Sequence, residues 1–496
     1  MKFSNSSFFL PAIVFFVALV GTPQAPAEVW RDFKKPTLNG NLIQLRKTID
    51  DVIRHRDIEA GMLAVDLNTN EILYEHEPDR LLIPASVNKL FTSYSALKRL
   101  TPDATFKTTI YVTGVIRDGT LGGDLYIKGG GDPSLVSERM WMLVNELVRS
   151  GIRNVTGNLI ADSTYFDLEG TPKSRPSYLK DQAYNAPVGA LSFNFNTCTI
   201  YVSPADLVGA PPTVYTDPEN SYIDVVNQAV TGRAGSGNSL SVNRVNHVEG
   251  DLGDTVLLRG SIPMGHGEQH FYRNIVNPGL YTAHMFQTFW VRRGLKMDGT
   301  VKEGVVPPGA RQILEFQSQP LWQIVWGMNK FSNNFVADQL LKKLGAEAWG
   351  APGTLDKGLA AEQEILEDLG IPKGSYQIVD GSGLTRKTHV TARQLVTVLA
   401  AASHDFTMGP EFTASLGIAG EDGTLKHRFP GSVVQAMLRA KTGTLDGVNS
   451  LAGYTPDGDG DKVAFAILLN DPKVKYGRMT GWIDQVALAI AKFTKK

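Results

Sequence analysis

Apolar residues recur at helical spacing in the stretch that runs from residue 87 to residue 97. They are three or four positions apart and so share one helix face: Val87, Leu90, Phe91, Tyr94 and Leu97. Pro84 favours an extended entry into this segment, and Thr101-Pro102-Asp103 favours its end. The pattern predicts an amphipathic helix that begins near Ser86 and packs its apolar face on a core.

Alternating apolar and polar residues predict strands towards both ends of the chain. Residues 61–67 and 71–75 flank an Asn-Thr-Asn turn and form a hairpin pattern just before the predicted helix. Residues 433–440, 450–454 and 463–469 have the pattern of successive antiparallel strands. We expect one domain in which strands come first, helices follow, and the later strands complete the sheet.

Two further helices are predicted from apolar spacing. One follows Ser332-Asn333-Asn334 and is expected to end at Gly345. Its apolar residues are Phe335, Leu340, Leu341 and Leu344. The apolar residues of the other, C-terminal helix are Trp482, Val486, Ala489, Ile490 and Phe493. The C-terminal helix either anchors in a membrane interface or packs on the sheet, and we expect it to pack on the sheet.

A long insert separates these two parts of the predicted sheet. About 220 residues lie between Leu100 and Gln319, with strand patterns such as 158–162 and one helix at 139–149. Residues 197–272 are richer in Pro, Gly, Ser and Asn, which indicates a small β domain nested in the insert. The predicted units are a catalytic domain (28–100 plus 313–496), a second domain (101–196 plus 273–312) and a third domain (197–272).

Composition and charge are those of a globular protein. The chain has 496 residues, of which 42% are hydrophobic and 20% charged. At roughly 150 residues a domain, this length suggests about three domains. The net charge of −1 provides no polybasic surface, so we do not expect nucleic acid as a partner.

The first 27 residues have the features of a secretory leader. Lys2 supplies the basic start, residues 8–20 are apolar, and Ala25-Pro26-Ala27 is a small-residue cleavage site. The apolar run is short for a transmembrane span, so no transmembrane anchor is expected. We expect the mature chain to begin near Glu28 and to act in the periplasm or outside the cell. Loose association with membrane or wall stays open.

Several classes of site are excluded by motif. Cys198 is the only cysteine, so no disulfide forms within the chain, and we interpret it as a buried inert thiol. The sequence has no zinc-binding spacing, no phosphate loop and no G-x-S-x-G elbow. Residues 129–133, Gly-Gly-Gly-Asp-Pro, are interpreted as a turn because they lack the lysine of a phosphate loop.

The first chemical motif is Ser86-Val87-Asn88-Lys89. Ser86 falls in the first turn of the predicted helix, where unpaired backbone N–H groups favour a developing negative charge. Lys89 shares the face of Ser86, so its amine can reach the serine oxygen. Such a lysine acts as a base only when burial or a second cation lowers its pKa. The alternative is an N-capping serine beside a solvated lysine.

The second motif contains Ser332 and Asn334. The same S-x-N spacing also occurs at Ser192, Ser236 and Ser241, but only the Ser332 copy opens a well-formed helix after an apolar segment. It can therefore direct a hydroxyl and an amide into one cleft. The alternative is an ordinary helix N-cap.

The third motif is Lys441-Thr442-Gly443, followed by Thr444. It comes after the strand predicted at 433–440, and Gly443 would let another backbone approach closely, as a substrate strand needs. The alternative is the end of a surface strand. Together the motifs suggest a serine nucleophile activated by a lysine, facing a strand edge that holds a carboxylate.

In this order the three motifs resemble those of the penicillin-interacting serine enzymes, the D,D-peptidases and serine β-lactamases. The long insert resembles the penicillin-binding protein 4 type, the class C D-alanyl-D-alanine carboxypeptidase/endopeptidase family. Residues 129–133, 191–196, 380–384 and 419–425 also look like segments of that family. The resemblance implies an α/β (α+β) catalytic domain of penicillin-binding transpeptidase/β-lactamase type, an antiparallel sheet flanked by helices, with two nested β-rich insert domains.

The resemblance also implies a function, a serine D,D-peptidase of bacterial peptidoglycan. It would cleave D-Ala-D-Ala ends as a carboxypeptidase, D-alanyl cross-links as an endopeptidase, or both. Ser86 would attack the carbonyl between two D-alanines, with Lys89 as the base. Ser332, assisted by Lys441, would pass a proton to the leaving amine.

The remaining motif residues are implied to bind the substrate. Asn334 would hold the substrate amide, while Thr442, Thr444 and Lys441 would take the terminal carboxylate. The backbone N–H groups of Ser86 and Thr444 would form the oxyanion hole. No metal or organic cofactor is implied, and β-lactam antibiotics would acylate Ser86.

Recognition of the diamino acid of a wall peptide calls for an acid and a base at the rim of the cleft. Arg386 follows Asp380-Gly-Ser-Gly, and Asp162 lies in a segment of the insert that resembles the family. We predict that these two residues bind that side chain, and Asp446 is a third candidate. Their alternative is ordinary salt-bridge duty on the surface.

Two other functions compete with this prediction. A serine β-lactamase would need an efficient base for deacylation, and no candidate Glu is identifiable from the sequence. A non-catalytic wall-binding scaffold on the same fold would not need Ser86, Lys89, Ser332 and Lys441.

Overall fold

The computed structural model describes residues 32–54, 58–245, 253–474 and 476–495. The predicted leader lies outside these residues. Within them are ten α-helices: α1 (Gly40–Ile53), α2 (Lys89–Leu100), α3 (Ser137–Arg149), α4 (Pro278–Arg292), α5 (Leu321–Phe331), α6 (Asn334–Trp349), α7 (Leu355–Asp368), α8 (Ala392–His404), α9 (Gly409–Ser415) and α10 (Tyr476–Ala491). The same ranges contain short 3₁₀ turns at Ala85–Asn88, Ser177–Leu179, Ala183–Asn185, Asn194–Asn196 and Gly423–Leu425.

The described residues form 23 strands. The first nine are β1 (Glu59–Asp66), β2 (Glu71–His76), β3 (Lys107–Val112), β4 (Val115–Arg117), β5 (Thr120–Gly122), β6 (Leu125–Gly129), β7 (Asn154–Val155), β8 (Leu159–Asp162) and β9 (Thr197–Ser203). The next seven are β10 (Thr213–Asp217), β11 (Ile223–Asn227), β12 (Val230–Gly232), β13 (Ser241–Val245), β14 (Asp254–Arg259), β15 (Ser261–Pro263) and β16 (Gln269–Asn274). The last seven are β17 (Lys296–Met297), β18 (Val301–Glu303), β19 (Arg311–Gln317), β20 (Gly417–Ile418), β21 (Arg439–Leu445), β22 (Val448–Pro456) and β23 (Lys462–Asn470).

The two ends of the chain meet in one six-stranded antiparallel sheet. Its order is β2-β1-β23-β22-β21-β20, so the N-terminal hairpin pairs with the last strand. Residues 464, 466 and 468 of β23 face the core beneath α2, α5, α6, α7 and α8. The alternate residues 463, 465, 467 and 469 face α1 and α10. Burial on both faces explains why this strand is a continuous apolar run, and it confirms that the C-terminal helix packs on the sheet.

The insert has cores of its own. A five-stranded sheet (β18-β8-β6-β3-β19) and a four-stranded sheet (β17-β7-β5-β4) pack with α3 and α4. Three smaller sheets formed by β9 to β16 enclose a separate apolar cluster around Ile200 and Val256. Cys198 is buried in β9, and burial raises the pKa of its thiol to about 12. We propose, on the basis of these separate cores, the three domains expected from the sequence, with one change. Strand β19 pairs with β3, so residues 311–317 belong to the insert and not to the catalytic domain.

Two predicted element boundaries were wrong. Helix α6 does not end at Gly345 but runs to Trp349, and Gly350 follows it with φ 76°. Gly345 lies against α7, where a Cβ would be 2.6 Å from the Gly358 nitrogen, so this glycine permits close helix packing. Likewise, β21 begins only at Arg439, because the preceding residues form tight turns such as the Met437 N–H to Val434 carbonyl bond. The third motif therefore lies within the strand.

Candidate active site

Ser86 lies on the 3₁₀ turn that leads into α2. The preceding residue, Ala85, is fully buried and has φ 50°, a left-handed conformation that is costly for a residue with a side chain. This turn leaves Ser86 half-buried at the edge of a cleft, while Val87 and Asn88 are buried beneath it. The predicted helix is thus confirmed, with its first turn wound more tightly.

Lys89 is completely buried and meets Ser86 directly. Its Nζ donates to Ser86 Oγ at 2.9 Å, to Asn334 Oδ1 at 2.7 Å and to the Ser382 carbonyl at 2.8 Å. Burial lowers its pKa to about 7, although Asp338 and Asp380 act in the opposite direction. A substantial fraction of Lys89 is therefore neutral near pH 7, and a neutral amine can accept the serine proton.

Ser332 lies between α5 and α6 with φ 56° and ψ 38°, in the left-handed region. It is not the N-cap of α6, because the Asn333 side chain accepts the Val336 N–H at 3.1 Å. The sequence alternative of an ordinary N-cap is wrong for this serine. Its hydroxyl instead accepts a hydrogen bond from Lys441 Nζ at 2.9 Å.

Asn334 begins α6 and joins two walls of the cleft. Its Oδ1 accepts from Lys89, and its Nδ2 donates to the Tyr184 carbonyl of the insert at 2.9 Å. The amide is therefore oriented by both bonds.

Lys441 is fully buried at the centre of β21. Besides Ser332, its Nζ donates to the Thr442 carbonyl at 2.8 Å. Burial lowers its pKa well below the usual value, and the charge of Lys89 lowers it further. This second amine is placed to exchange a proton with Ser332.

The strand comes unusually close to the nucleophile. A Cβ on Gly443 would lie 2.5 Å from the Pro84 carbonyl oxygen and 3.1 Å from the Ser86 nitrogen, so only glycine fits. Ser450 Oγ, on β22, donates to the same Pro84 carbonyl at 2.6 Å. Thr442 Oγ1 donates to Thr424 Oγ1 at 2.7 Å, while Thr444 is exposed at the cleft.

The cleft has a volume of about 630 Å³ and is shared between the catalytic sheet region and the insert. From the former, Ser86, Ser332, Asn334, Thr444 and Arg386 line it. Residues of the insert complete the opposite wall: Ser174, Pro176, Tyr178, Leu179 and Tyr184.

The two residues predicted to read a diamino acid occupy different places. Arg386 lines the cleft and donates to the backbone carbonyl of Asp446, which also lines it. Asp162 is not brought to the cleft, and its predicted contact with substrate is wrong. Its carboxylate is fully buried, accepts from Thr164 and from the Val306 N–H at 2.9 Å, and pairs with Lys128 at 3.4 Å.

The structure adds residues that sequence reasoning missed. Asp338 lies one turn after Asn334 on α6, and this i, i+4 spacing was a usable signal. Asp380 and Ser382 belong to a segment noted only for its family resemblance. Arg175 comes from the insert, and nothing in its local sequence pointed to the site.

The described residues contain no group of three His, Cys, Asp or Glu side chains placed to hold a metal ion. None of the helices described is both long and apolar enough to span a membrane.

Comparison with known proteins places the chain in a family. It matches the D-Ala-D-Ala carboxypeptidase 3 (S13) family over residues 45–486. It is 34% identical over 452 residues to a D-alanyl-D-alanine carboxypeptidase of Actinomadura sp. (strain R39), covering 86% of this chain and 81% of that protein. It is 26% identical to D-alanyl-D-alanine carboxypeptidase DacB of Haemophilus influenzae, covering 83% of this chain and 85% of the relative.

The fold is also found in a solved structure. Penicillin binding protein 4 (dacB) from Haemophilus influenzae superposes with a TM-score of 0.77 at 24% identity, covering 89% of this chain and 98% of that chain.

The family match and the similarity to the Actinomadura carboxypeptidase define the class as serine D,D-peptidases. The superposition confirms the predicted fold class. The chain belongs to the D-Ala-D-Ala carboxypeptidase 3 (S13) family, because the match spans most of its length. The resemblance to the penicillin-binding protein 4 type is thereby confirmed, and so is the function of a serine-type D,D-peptidase.

Proposed function

We propose that Ser86 and Lys89 carry out the peptide cleavage through an acyl-enzyme. Neutral Lys89 takes the Ser86 proton as the serine oxygen bonds to the carbonyl carbon between two D-alanines. The bond between that carbon and the leaving nitrogen then breaks. The observation that carries this proposal is the 2.9 Å bond from a fully buried lysine to a half-buried serine.

Ser332 and Lys441 complete the proton path to the leaving group. The amine that departs needs one proton, and the Ser332 hydroxyl supplies it while recovering one from Lys441, 2.9 Å away. Water then attacks the ester carbon while one of its protons passes through Ser332 to Lys441. The bond from that carbon to Ser86 Oγ breaks as Oγ takes back the proton from Lys89. The shortened peptide leaves as a carboxylic acid, and both lysines recover their starting protonation states.

The strand edge binds the rest of the substrate. Thr444, which is exposed in the cleft, donates its hydroxyl to the terminal carboxylate, with Lys441 behind it. The Thr442 hydroxyl, which bonds to Thr424 in the free protein, turns to donate to the same carboxylate. The N–H groups of Ser86 and Thr444 receive the oxyanion, an arrangement typically worth about 3 kcal/mol for each donor. Asn334 presents its amide to the substrate backbone.

Arg386 binds the diamino-acid side chain of the peptide on this proposal. It lines the cleft beside Asp446. Its guanidinium binds the carboxylate of the diamino acid, and Asp446 binds the amine. The exposed rings of Tyr178 and Tyr184 form the facing wall.

The partner is the peptide part of peptidoglycan, reached in the periplasm or outside the cell after removal of the leader. β-Lactams are covalent inhibitors on this proposal. The Haemophilus influenzae protein has been solved in complex with a β-lactam, which supports the same reaction here.

Digestion of purified cell wall tests the activity. Released D-alanine identifies a carboxypeptidase, and monomers formed from cross-linked dimers identify an endopeptidase. Ser86→Ala should release neither. The matched control is Ser95→Ala, which removes a buried hydroxyl from the same helix away from the cleft.

The competing functions give different results with a chromogenic cephalosporin. A D,D-peptidase stalls after one equivalent as a stable acyl-enzyme, whereas a β-lactamase continues to hydrolyse it. A protein that digests nothing and takes up no penicillin is a scaffold. Sustained hydrolysis or complete inertness therefore contradicts the proposal.

A further inference from the structure

Arg175 belongs to the insert, yet it lies deep behind the catalytic cleft. Its side chain is only 1% exposed. The guanidinium pairs with Asp338 of α6 and, at 3.6 Å, with Asp380. It also donates to Ser382 Oγ at 3.0 Å and to Asn185 Oδ1 at 2.9 Å. The residue therefore links the cleft wall of the insert to the floor below Lys89.

The two carboxylates fix the backbone that receives Lys89. Asp338 Oδ1 accepts the Gly381 N–H at 3.0 Å, and Asp380 Oδ1 accepts the Gly383 N–H at 2.7 Å. These bonds hold the segment on either side of residue 382, whose carbonyl oxygen accepts Lys89 Nζ at 2.8 Å. Arg175 thus acts on Lys89 through the geometry of one carbonyl.

The same carboxylates also act on Lys89 by charge. Burial lowers the pKa of Lys89, Asp338 and Asp380 raise it, and Arg175 lowers it again. Burial raises the pKa of Asp338, whereas its ion pair with Arg175 lowers it and so favours the ionised carboxylate. Without Arg175, the two buried anions would have Lys89 as their nearest cation.

The other ionisable groups around this pocket do not replace Arg175. Glu362 of α7 is fully buried near Asp380, and burial raises its pKa to about 8, so it is mostly an uncharged acid at pH 7. Lys441 approaches from β21, but burial and Lys89 lower its pKa. Of the groups that face Lys89 in the described chain, Arg175 is the cation that stays charged at all pH values of interest.

We propose that Arg175 is a positioning residue for Lys89: it neutralises Asp338 and Asp380 and fixes the Ser382 carbonyl, so that Lys89 is free to accept the Ser86 proton. The inference rests on the proposed role of Lys89 as the base. It makes the insert a working part of the catalytic site, through a residue that does not touch substrate.

The test is the rate of acylation by labelled penicillin measured from pH 5 to pH 10. Arg175→Gln removes the charge at similar size, and the midpoint of the pH–rate curve should move upward by about 1 unit or more. Acylation at pH 7 then falls about fivefold or more and recovers at high pH. Arg175→Lys should keep a midpoint near that of the wild type. Adding Asp338→Asn to Arg175→Gln should bring the midpoint back down.

If Arg175→Gln reacts more slowly at every pH but keeps the same midpoint, the proposal is overturned. That result would show that Arg175 only supports the segment around residue 382 and does not act on the charge of Lys89. If Arg175→Gln does not fold, Asp338→Asn alone decides, since loss of one carboxylate should lower the midpoint and an unchanged midpoint contradicts the charge coupling. Failure of the proposed function is distinguishable, because it would appear as full acylation of Ser86→Ala in the same assay.

Discussion

The two buried lysines of the cleft lie in different electrostatic surroundings. Lys89 has two buried carboxylates and an arginine behind it, and its pKa is about 7. Lys441 bonds to a hydroxyl and a carbonyl, and no carboxylate appears among its hydrogen-bond partners in the described chain. Burial lowers the pKa of Lys441 well below its usual value, and the charge of Lys89 lowers it further.

This difference indicates separate roles for the two lysines in proton transfer. The anions near Lys89 are part of the protein, so its proton affinity is set before substrate arrives. On the proposed function, the carboxylate of a peptide or β-lactam binds beside Lys441 and raises the pKa of that lysine. Lys89 is then a permanent base, and Lys441 becomes charged with its ligand.

Removal of Lys89 should have the largest effect. Lys89→Met keeps the buried stem but removes the base, and we expect acylation by penicillin to fall about 10²–10⁴-fold, the usual worth of a general base. Stopped-flow acylation measures this loss. Lys98→Met, on the exposed side of the same helix, is the control and should react normally. A fall of less than tenfold for Lys89→Met would contradict the role of Lys89 as the base, because another group would then accept the serine proton.

The pH dependence of the wild type should follow Lys89. The neutral amine is the active form and its pKa is about 7, so acylation should rise roughly tenfold per pH unit below 7 and level off above it. The measurement is the acylation rate across pH 5–10 at constant salt. A rise centred near 10 would mean that burial does not tune this lysine.

Removal of Lys441 should have a smaller and ligand-dependent effect. Lys441→Ala should slow acylation about 10²–10³-fold, as for loss of one preorganised electrostatic group, while the melting temperature changes far less. With a β-lactam whose carboxylate is esterified, wild type and variant should differ much less. A large loss of stability with normal acylation would make Lys441 structural.

Arg386 should show the smallest effect, and on peptides only. Arg386→Ala is expected to lower kcat/KM for diamino-acid peptides by ~1–3 kcal/mol, the cost of a charged hydrogen bond, with little change in penicillin acylation. The control Asp162→Ala should leave both reactions intact but cost about 1–3 kcal/mol of stability. It removes the acceptor of the half-buried Val306 N–H and leaves Lys128 without its buried partner. Equal losses on both substrates would show that Arg386 supports the site generally.

The half of the site that the sequence revealed depends on short-range geometry. Ser86 and Lys89 meet because a helical turn brings positions three apart together, and the two strands that follow Gly443 show in their apolar patterns. These features are local, so a pattern in the chain is enough to find them.

The other half depends on contacts between distant segments. Arg175 reaches Asp338 across 163 positions of the chain, and no local pattern encodes that pairing. The same limit explains the error at Gly345, because this glycine lets α6 pack closely against α7 and does not end the helix. It explains the error at Asp162 too, since this carboxylate is already paired with Lys128 and accepts hydrogen bonds from donors that only the folded insert supplies.

The most direct test of the account is the site of penicillin attachment. Intact mass spectrometry followed by peptide mapping should place one adduct on Ser86 in the wild type and in Ser95→Ala, and none on Ser86→Ala at equal folding. An adduct on another residue, or undiminished labelling of Ser86→Ala, would contradict the mechanism.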